Sequence, residues 1–224
     1  STELGLKGIP NISESINLFR DIEILNYSGG KIHIPYITTS KGVDLIREAK
    51  KNNLDITASV SLAHITFSEK DIPDFDTNYK LIPPLRSESD LNSLKEGLID
   101  GTIDYLTSMH EPFDVDNKKI VFDNASSGSI GLESMFGLMN NQFTLEKTID
   151  ILTRKKITFE VDDYPIEIGS LADLSLFNPD KNYKFSEDHI LSTSKNCAFI
   201  DSNHKGIVYG SINGKNFTLN KLWT

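Results

Sequence analysis

The sequence predicts an α/β fold of parallel strands joined by crossover helices, followed by a smaller β-rich region. Short β-type runs alternate with amphipathic helical runs over roughly the first 155 residues, with short links between them. Beyond about Lys156 the pattern changes to short strands separated by Asn-Gly and Asn-Pro-Asp turns. The division expected is therefore 1–156 for the strand–helix region and 157–224 for the β-rich appendage.

Each element has its own signal. Asn11 and Glu14 have capping-box spacing, and Ile16, Phe19, Ile22, Ile24 and Leu25 recur at near-helical intervals. Tyr27-Ser-Gly-Gly30 ends that helix, because glycine takes the left-handed stop. Lys31–Ile37 predicts a strand, Ser40–Asn53 a helix, Asp55–Ala63 the next strand and Ser68–Asp71 a helical turn. Ser87 and Asp90 cap a helix whose Leu91, Leu94 and Leu98 form one stripe, and Gly101 stops it before a strand at Ile103–Thr107. Helices follow at Gly131–Asn140 and Thr144–Arg154. In the appendage, strands are expected at Phe159–Val161, Leu174–Phe177, Ala198–Ile200, Gly206–Ile212 and Phe217–Leu219, with Asn213-Gly214 as a hairpin signal.

Composition narrows the function classes. The 224 residues suffice for one medium domain, or one with a small appendage, and 38% hydrophobic with 25% charged residues is ordinary for a globular protein. A net charge of −9 argues against a nucleic-acid or anionic-membrane surface. The one cysteine, Cys197, allows no internal disulfide and lacks the basic neighbours of a reactive thiol. No apolar run approaches the roughly 20 residues of a membrane span. Ser1-Thr-Glu-Leu-Gly5 lacks the pattern of a signal peptide, so the expected location is cytoplasmic.

Several ordered motifs then point one way. Lys31-Ile-His-Ile-Pro-Tyr-Ile-Thr-Thr39 resembles R-x-H-x-x-H-[IV]-S-T, and Lys80-Leu-Ile-Pro-Pro-Leu-Arg86 resembles K-V-N-P-P-L-R. Asp100-Gly-Thr-Ile-Asp104 matches D-G-T-I-D, and Ser108 to Phe113 resembles the segment T-D-H-A-P-H. Asp173–Asp180 resembles A-D-L-x-L-F-D-P, while Asn196–Phe199 and Asn213-Gly-Lys215 resemble N-T-P-F and N-G-K. With Gly5–Pro10 and Arg20-Asp21, these run through nearly the whole chain and resemble the dihydroorotases of the amidohydrolase superfamily. The resemblance implies the C-terminal portion of a TIM-type (β/α)8 barrel followed by a small β-sandwich. Only three or four strand–helix units can be counted where a closed barrel needs eight. A truncated chain, or one piece of a larger assembly, is therefore expected.

By resemblance, such enzymes open and close the dihydroorotate ring with a zinc-bound hydroxide and an aspartate that shuttles the proton. The scaffold motifs match well and the chemical positions do not. The metal-histidine position of the first motif holds Tyr36, although the earlier His33 is kept. In Thr57–His64, aligned with E-V-T-P-H-H, the metal histidine falls on Ala63, and His64 stands one residue along, which on a strand faces the other way. The aspartate position holds Met109, the substrate asparagine is Ile82 and the last histidine is Phe113. Alanine offers no donor, and a thioether or phenol is a poor ligand in a hard N/O site. No zinc or other cofactor is expected in this chain.

The remaining polar residues have plainer readings beside these. His110, whose family counterpart contacts substrate, is the surviving candidate, against a hydrogen-bonded histidine at a strand end. Ser126-Ser-Gly-Ser129, with Gly128, is a candidate anion cradle before a helix. His33 and His64 read as structural, and His189 and His204 as surface residues. Asp100 and Asp104 read as helix stop and strand start, and the chain from Asp114 through Asp116 onward as a solvated loop. Met135, Phe136 and Met139 read as core.

Three functions follow. The first is a non-catalytic homologue with a structural or regulatory role, by resemblance a homo-oligomer or an assembly with an aspartate transcarbamoylase-like partner. The second is an active dihydroorotase or related cyclic-amide hydrolase whose site is completed by polypeptide outside this chain. The third is small-ligand binding at His110 and the Ser-Gly loop without turnover.

Overall fold

The structure is a computed structural model that describes Gly5 and residues 7–154 and 164–220. These fall into two compact units, 5–132 with 192–198, and 133–191 with 199–220.

The first unit is built on three parallel strands, β1 (Ile32–Ile34), β2 (Ile56–Ser61) and β3 (Tyr105–Thr107), in the order β1-β2-β3. Helices α1 (Asn11–Ser28), α2 (Ser40–Lys51) and α4 (Glu88–Asp100) accompany them, and the short α3 (Leu62–Thr66) follows β2 directly. Ile56, Ala58 and Val60 of β2 are buried, as are Val43, Ile46 and Ala49 of α2 and Leu91, Leu94 and Leu98 of α4. Burying each of the larger side chains stabilises by about 1.5–3 kcal/mol. Gly97 lets α4 approach closely, since a Cβ there would lie 3.1 Å from Ile103 and 3.2 Å from Val43.

Local signals explain most boundaries and correct a few. Thr39 caps α2 by accepting from the Gly42 N–H, and Ser87 caps α4 by accepting from Asp90. The expected box at Asn11 does not form. Pro10 is the cap of α1, and the Glu14 carboxylate instead accepts from the Thr38 and Thr39 backbone N–H groups at 3.1 and 3.0 Å and from both threonine hydroxyls. The strand expected over Asp55–Ala63 ends at Ser61, because the Ser61 hydroxyl caps α3. Among the described residues the three parallel strands form an open sheet, short of the eight of a closed barrel.

The second unit is a three-stranded antiparallel sheet, β4 (Asp173–Lys184), β5 (Asn203–Asn213) and β6 (Asn216–Leu219), in the order β4-β5-β6. Helices α5 (Met135–Gln142) and α6 (Leu145–Thr153) belong with it. The Phe136 ring packs on Phe177 at 5.0 Å, and Asn140 Nδ2 donates to the carbonyls of Pro179 and Lys205. The Asn178-Pro-Asp180 stretch, expected as a turn, is an irregularity inside β4, since proline has no N–H to give the ladder. Asn213 pairs with Asn216 across a two-residue turn whose first residue, Gly214, has φ 58°, so the hairpin signal is correct. Ala198–Ile200 is a turn, not a strand, and Phe159–Val161 lies outside the described residues. Among the described residues this unit has one sheet layer, where the resemblance implies a sandwich.

Candidate functional site

In a parallel sheet of this kind, chemistry collects beyond the C-terminal ends of the strands. Tyr36 lies two residues past the end of β1, Ala63 two past β2 and Met109 two past β3. The three positions that the sequence aligns with family ligands and base thus occupy equivalent places on neighbouring strands.

Backbone shape at two of them is unusual. Tyr36 has φ 55° and Met109 φ 46°, both in the left-handed region, which costs a residue with a Cβ roughly 1–2 kcal/mol. Ala63 and Met109 are buried, at 4% and 5% exposure, while Tyr36 is half-buried. Strand pairing resumes at once after Tyr36, because Ile37 N–H donates to Ser59 O at 2.9 Å.

The imidazoles nearby are all engaged. His64 stands in α3, not on a strand, so its face is set by the helical turn, a correction to the strand argument. Its Nε2–H donates to Pro83 O at 3.0 Å, and its Nδ1 accepts from the Ser61 hydroxyl at 2.6 Å. Burial holds its pKa down to about 4. His33 stacks on Tyr105 with centroids 5.1 Å apart. Its ring nitrogens meet Thr57 Oγ1 at 2.9 Å and Ser59 Oγ at 3.2 Å, residues of β2 that share its sheet face through the His33–Thr57 register. His110 Nδ1 accepts from Leu132 N–H at 3.3 Å, and its Nε2 lies 3.0 Å from the Ser192 hydroxyl.

These residues do not fit a zinc ion. Among the described residues no three His, Cys, Asp or Glu side chains gather as a metal would require. Tyr36, Ala63 and Met109 supply no suitable donor in place of the ligands that the resemblance implies.

His110 does border a cavity of about 420 Å³, with Phe113, Asn117 and Ser192–Ser194 among its walls. Gly128 does not open into an anion cradle. Its N–H donates to Lys80 O at 2.8 Å, the Ser126 N–H donates to Asn117 O, and α5 begins only at Met135. With φ 148°, Gly128 is required for packing, because a Cβ would lie 2.6 Å from Glu111 Oε2 and from the Phe113 ring.

Sequence reasoning missed what fastens these loops. The Asn196 side chain accepts from Phe113 N–H at 3.1 Å and donates to Glu111 O and Gly128 O at 2.9 and 3.3 Å. Its presence in the N-T-P-F-like motif was the available signal. Lys118, expected in a solvated loop, is 5% exposed and donates to three backbone carbonyls. Nothing distinguishes it in sequence from its neighbour Lys119. In the second unit, His204 is not a surface residue but is 1% exposed. It stacks on Phe185 at 4.7 Å, and burial holds its pKa down to about 4.

Comparison with known proteins gives this geometry a lineage. No protein-family model matches the chain. A dihydroorotase of Listeria monocytogenes is 37% identical over 203 residues, covering 88% of this chain and 48% of that protein. Among solved structures, the L-hydantoinase (dihydropyrimidinase) of Arthrobacter aurescens superposes with TM-score 0.82 at 20% identity, over 95% of this chain and 50% of that one. An inactive dihydroorotase-like domain of a Chaetomium thermophilum CAD-like multifunctional protein superposes with TM-score 0.62 at 18% identity, over 89% and 54%. The structural likenesses establish a shared α/β fold. The chain spans about half the length of the curated relatives it matches, and it belongs to the dihydroorotase family.

Proposed function

We propose that this chain is a non-catalytic member of its family, with a structural or regulatory role in an assembly of pyrimidine biosynthesis. The observation that carries the reading is the set Tyr36, Ala63 and Met109, each two residues beyond its strand. A metal-activated hydrolysis needs donors to hold the metal and a base to move the proton. An alanine cannot ligate, and a methionine cannot accept a proton at neutral pH. The imidazole next to Ala63 in the chain, His64, is committed to Ser61 and Pro83. The inactive neighbour from a CAD-like multifunctional protein supports the idea that this fold can serve an assembly without turnover. An aspartate transcarbamoylase-like partner, or a second copy, is the corresponding proposal for what it binds, in the cytoplasm.

A second reading is favoured by the 37% identity to a protein named dihydroorotase. In it, polypeptide outside these residues completes a rearranged metal site, and His110 with its cavity receives a cyclic amide. Zinc content separates the two. The protein expressed from its complete gene and purified without chelator should hold no stoichiometric zinc and show no ring opening of dihydroorotate. About one or two zinc per chain, with turnover, would overturn the non-catalytic reading.

A further inference from the structure

Two ammonium groups in the first unit are used in an uncommon way. Lys118 Nζ donates to Thr77 O at 2.6 Å, Ser126 O at 2.9 Å and Gly128 O at 2.8 Å. Lys80 Nζ donates to Phe122 O at 2.8 Å, Asp123 O at 2.9 Å and Ala125 O at 2.7 Å. All six acceptors are backbone carbonyls, and five of them lie within 122–128. Among the described residues neither lysine makes an ion pair with a carboxylate. An ammonium has three donors and no acceptor, so each lysine is fully used.

The same segment is also stitched by its own amides. Gly128 N–H donates to Lys80 O, Ser126 N–H donates to Asn117 O, and the Thr77 hydroxyl donates to Lys118 O. A loop that opens and closes on a ligand exchanges its backbone hydrogen bonds with water at low cost. Here the carbonyls converge on positive charge instead, buried at Lys118 and half-buried at Lys80, and releasing those on Lys118 would leave an ammonium without partners in a site it cannot easily hydrate.

We propose that Lys80 and Lys118 act as two internal cations that pin residues 122–128 in one conformation. The segment is then a fixed wall of the first unit and not a lid. This goes beyond the proposed lack of turnover and does not depend on it, because it concerns loop order and not metal content.

Hydrogen exchange on the full protein tests it. The amides of Ser126 and Gly128 should exchange about as slowly as those of β2, at least roughly a hundredfold slower than an open chain. Lys118→Met, which keeps the aliphatic stem and removes the charge, should speed both by about tenfold or more while leaving β2 unchanged. Lys80→Met should do the same for Ala125. In Lys118→Ala, added n-propylammonium chloride should restore protection where tetramethylammonium, which has no N–H, does not. Open-chain exchange at Ser126 and Gly128 in the unaltered protein would overturn the proposal, even if the variants failed to fold. Unchanged protection in Lys118→Met would also overturn it.

Discussion

The two ends of the β1–β3 sheet are built to different standards. Where β3 begins, the Asp104 carboxylate accepts from Ala58 N–H at 2.7 Å and from Lys50 Nζ at 2.8 Å, and its own N–H donates to Ala58 O. Just before it, Asp100 accepts from Thr102 N–H and from Arg47, and Gly101 takes φ 81° to end α4. Each of these two carboxylates meets a backbone N–H and a cation, and the D-G-T-I-D motif is intact. At the opposite end two residues, Tyr36 and Met109, take left-handed backbone, and the side chains at Tyr36, Ala63 and Met109 are a phenol, a methyl group and a thioether. On the proposed non-catalytic reading, fold and chemistry come apart along one strand length. Packing a strand and arming it are then separable requirements, so a chain can match a family in scaffold and depart from it in donors.

The largest effect would come from re-arming the far end. In the protein from its complete gene, the combined Tyr36→His, Ala63→His and Met109→Asp variant should gain stoichiometric zinc with a Kd of about 1 μM or tighter, near 8 kcal/mol of binding. Elemental analysis after dialysis reads this directly. No zinc in that context would mean that the three positions are not the ligand positions, and the comparison between the two ends would lose its basis.

Acid offers the next test, because His64, next to Ala63 in the chain, is held in the scaffold by Ser61 and Pro83. Its folded pKa is held near 4 against an ordinary 6.5, so the native state binds fewer protons than the unfolded chain between those values. Stability present above pH 6.5 is therefore lost as pH falls toward 4, by about 2–3 kcal/mol for this one group. His204 should contribute a similar loss in the second unit, since burial depresses it likewise. Urea unfolding at pH 7.0 and 4.5 measures the sum, and His64→Gln should remove its share of the pH dependence. An unchanged pH dependence in that variant would mean that the burial of His64 is not what ties stability to acid.

A smaller effect is expected at the near end. Asp104→Ala strips Ala58 N–H of its acceptor and Lys50 of its ion pair, and should cost about 1–3 kcal/mol in denaturant unfolding. A cost near zero would mean that the polar network at the start of β3 is ornament.

Much of this contrast was legible in the sequence. The Ser87 cap, the Leu91–Leu94–Leu98 stripe and the Asn213-Gly214 turn are local, and these local signals marked their elements correctly. The end of β2 at Ser61 was not, because Ser-Leu-Ala-His-Ile suits a strand until the Ser61 hydroxyl is seen capping α3. Glu14 reaches Thr38 across 24 residues of chain, Lys118 reaches Thr77 across 41 and Asn196 reaches Glu111 across 85, and no spacing rule reaches that far. His204 looked like a surface residue because its companions Phe185 and Tyr183 reach it only through the pairing of β4 with β5.

The smallest expected effect asks what Met109 does. A thioether could be a soft ligand kept for some other metal, or simply a hydrophobe filling the place of an aspartate. At 5% exposure it sits where a carboxylate without a metal would be costly to bury, and an unbranched apolar side chain fills the space without that penalty. Met109→Leu keeps the volume and pays the same left-handed backbone cost, so it should change stability by less than about 1 kcal/mol. It should also leave metal content untouched. Loss of a bound metal on that substitution would make the thioether a ligand, and the far end of the sheet would then be re-armed with softer chemistry rather than disarmed.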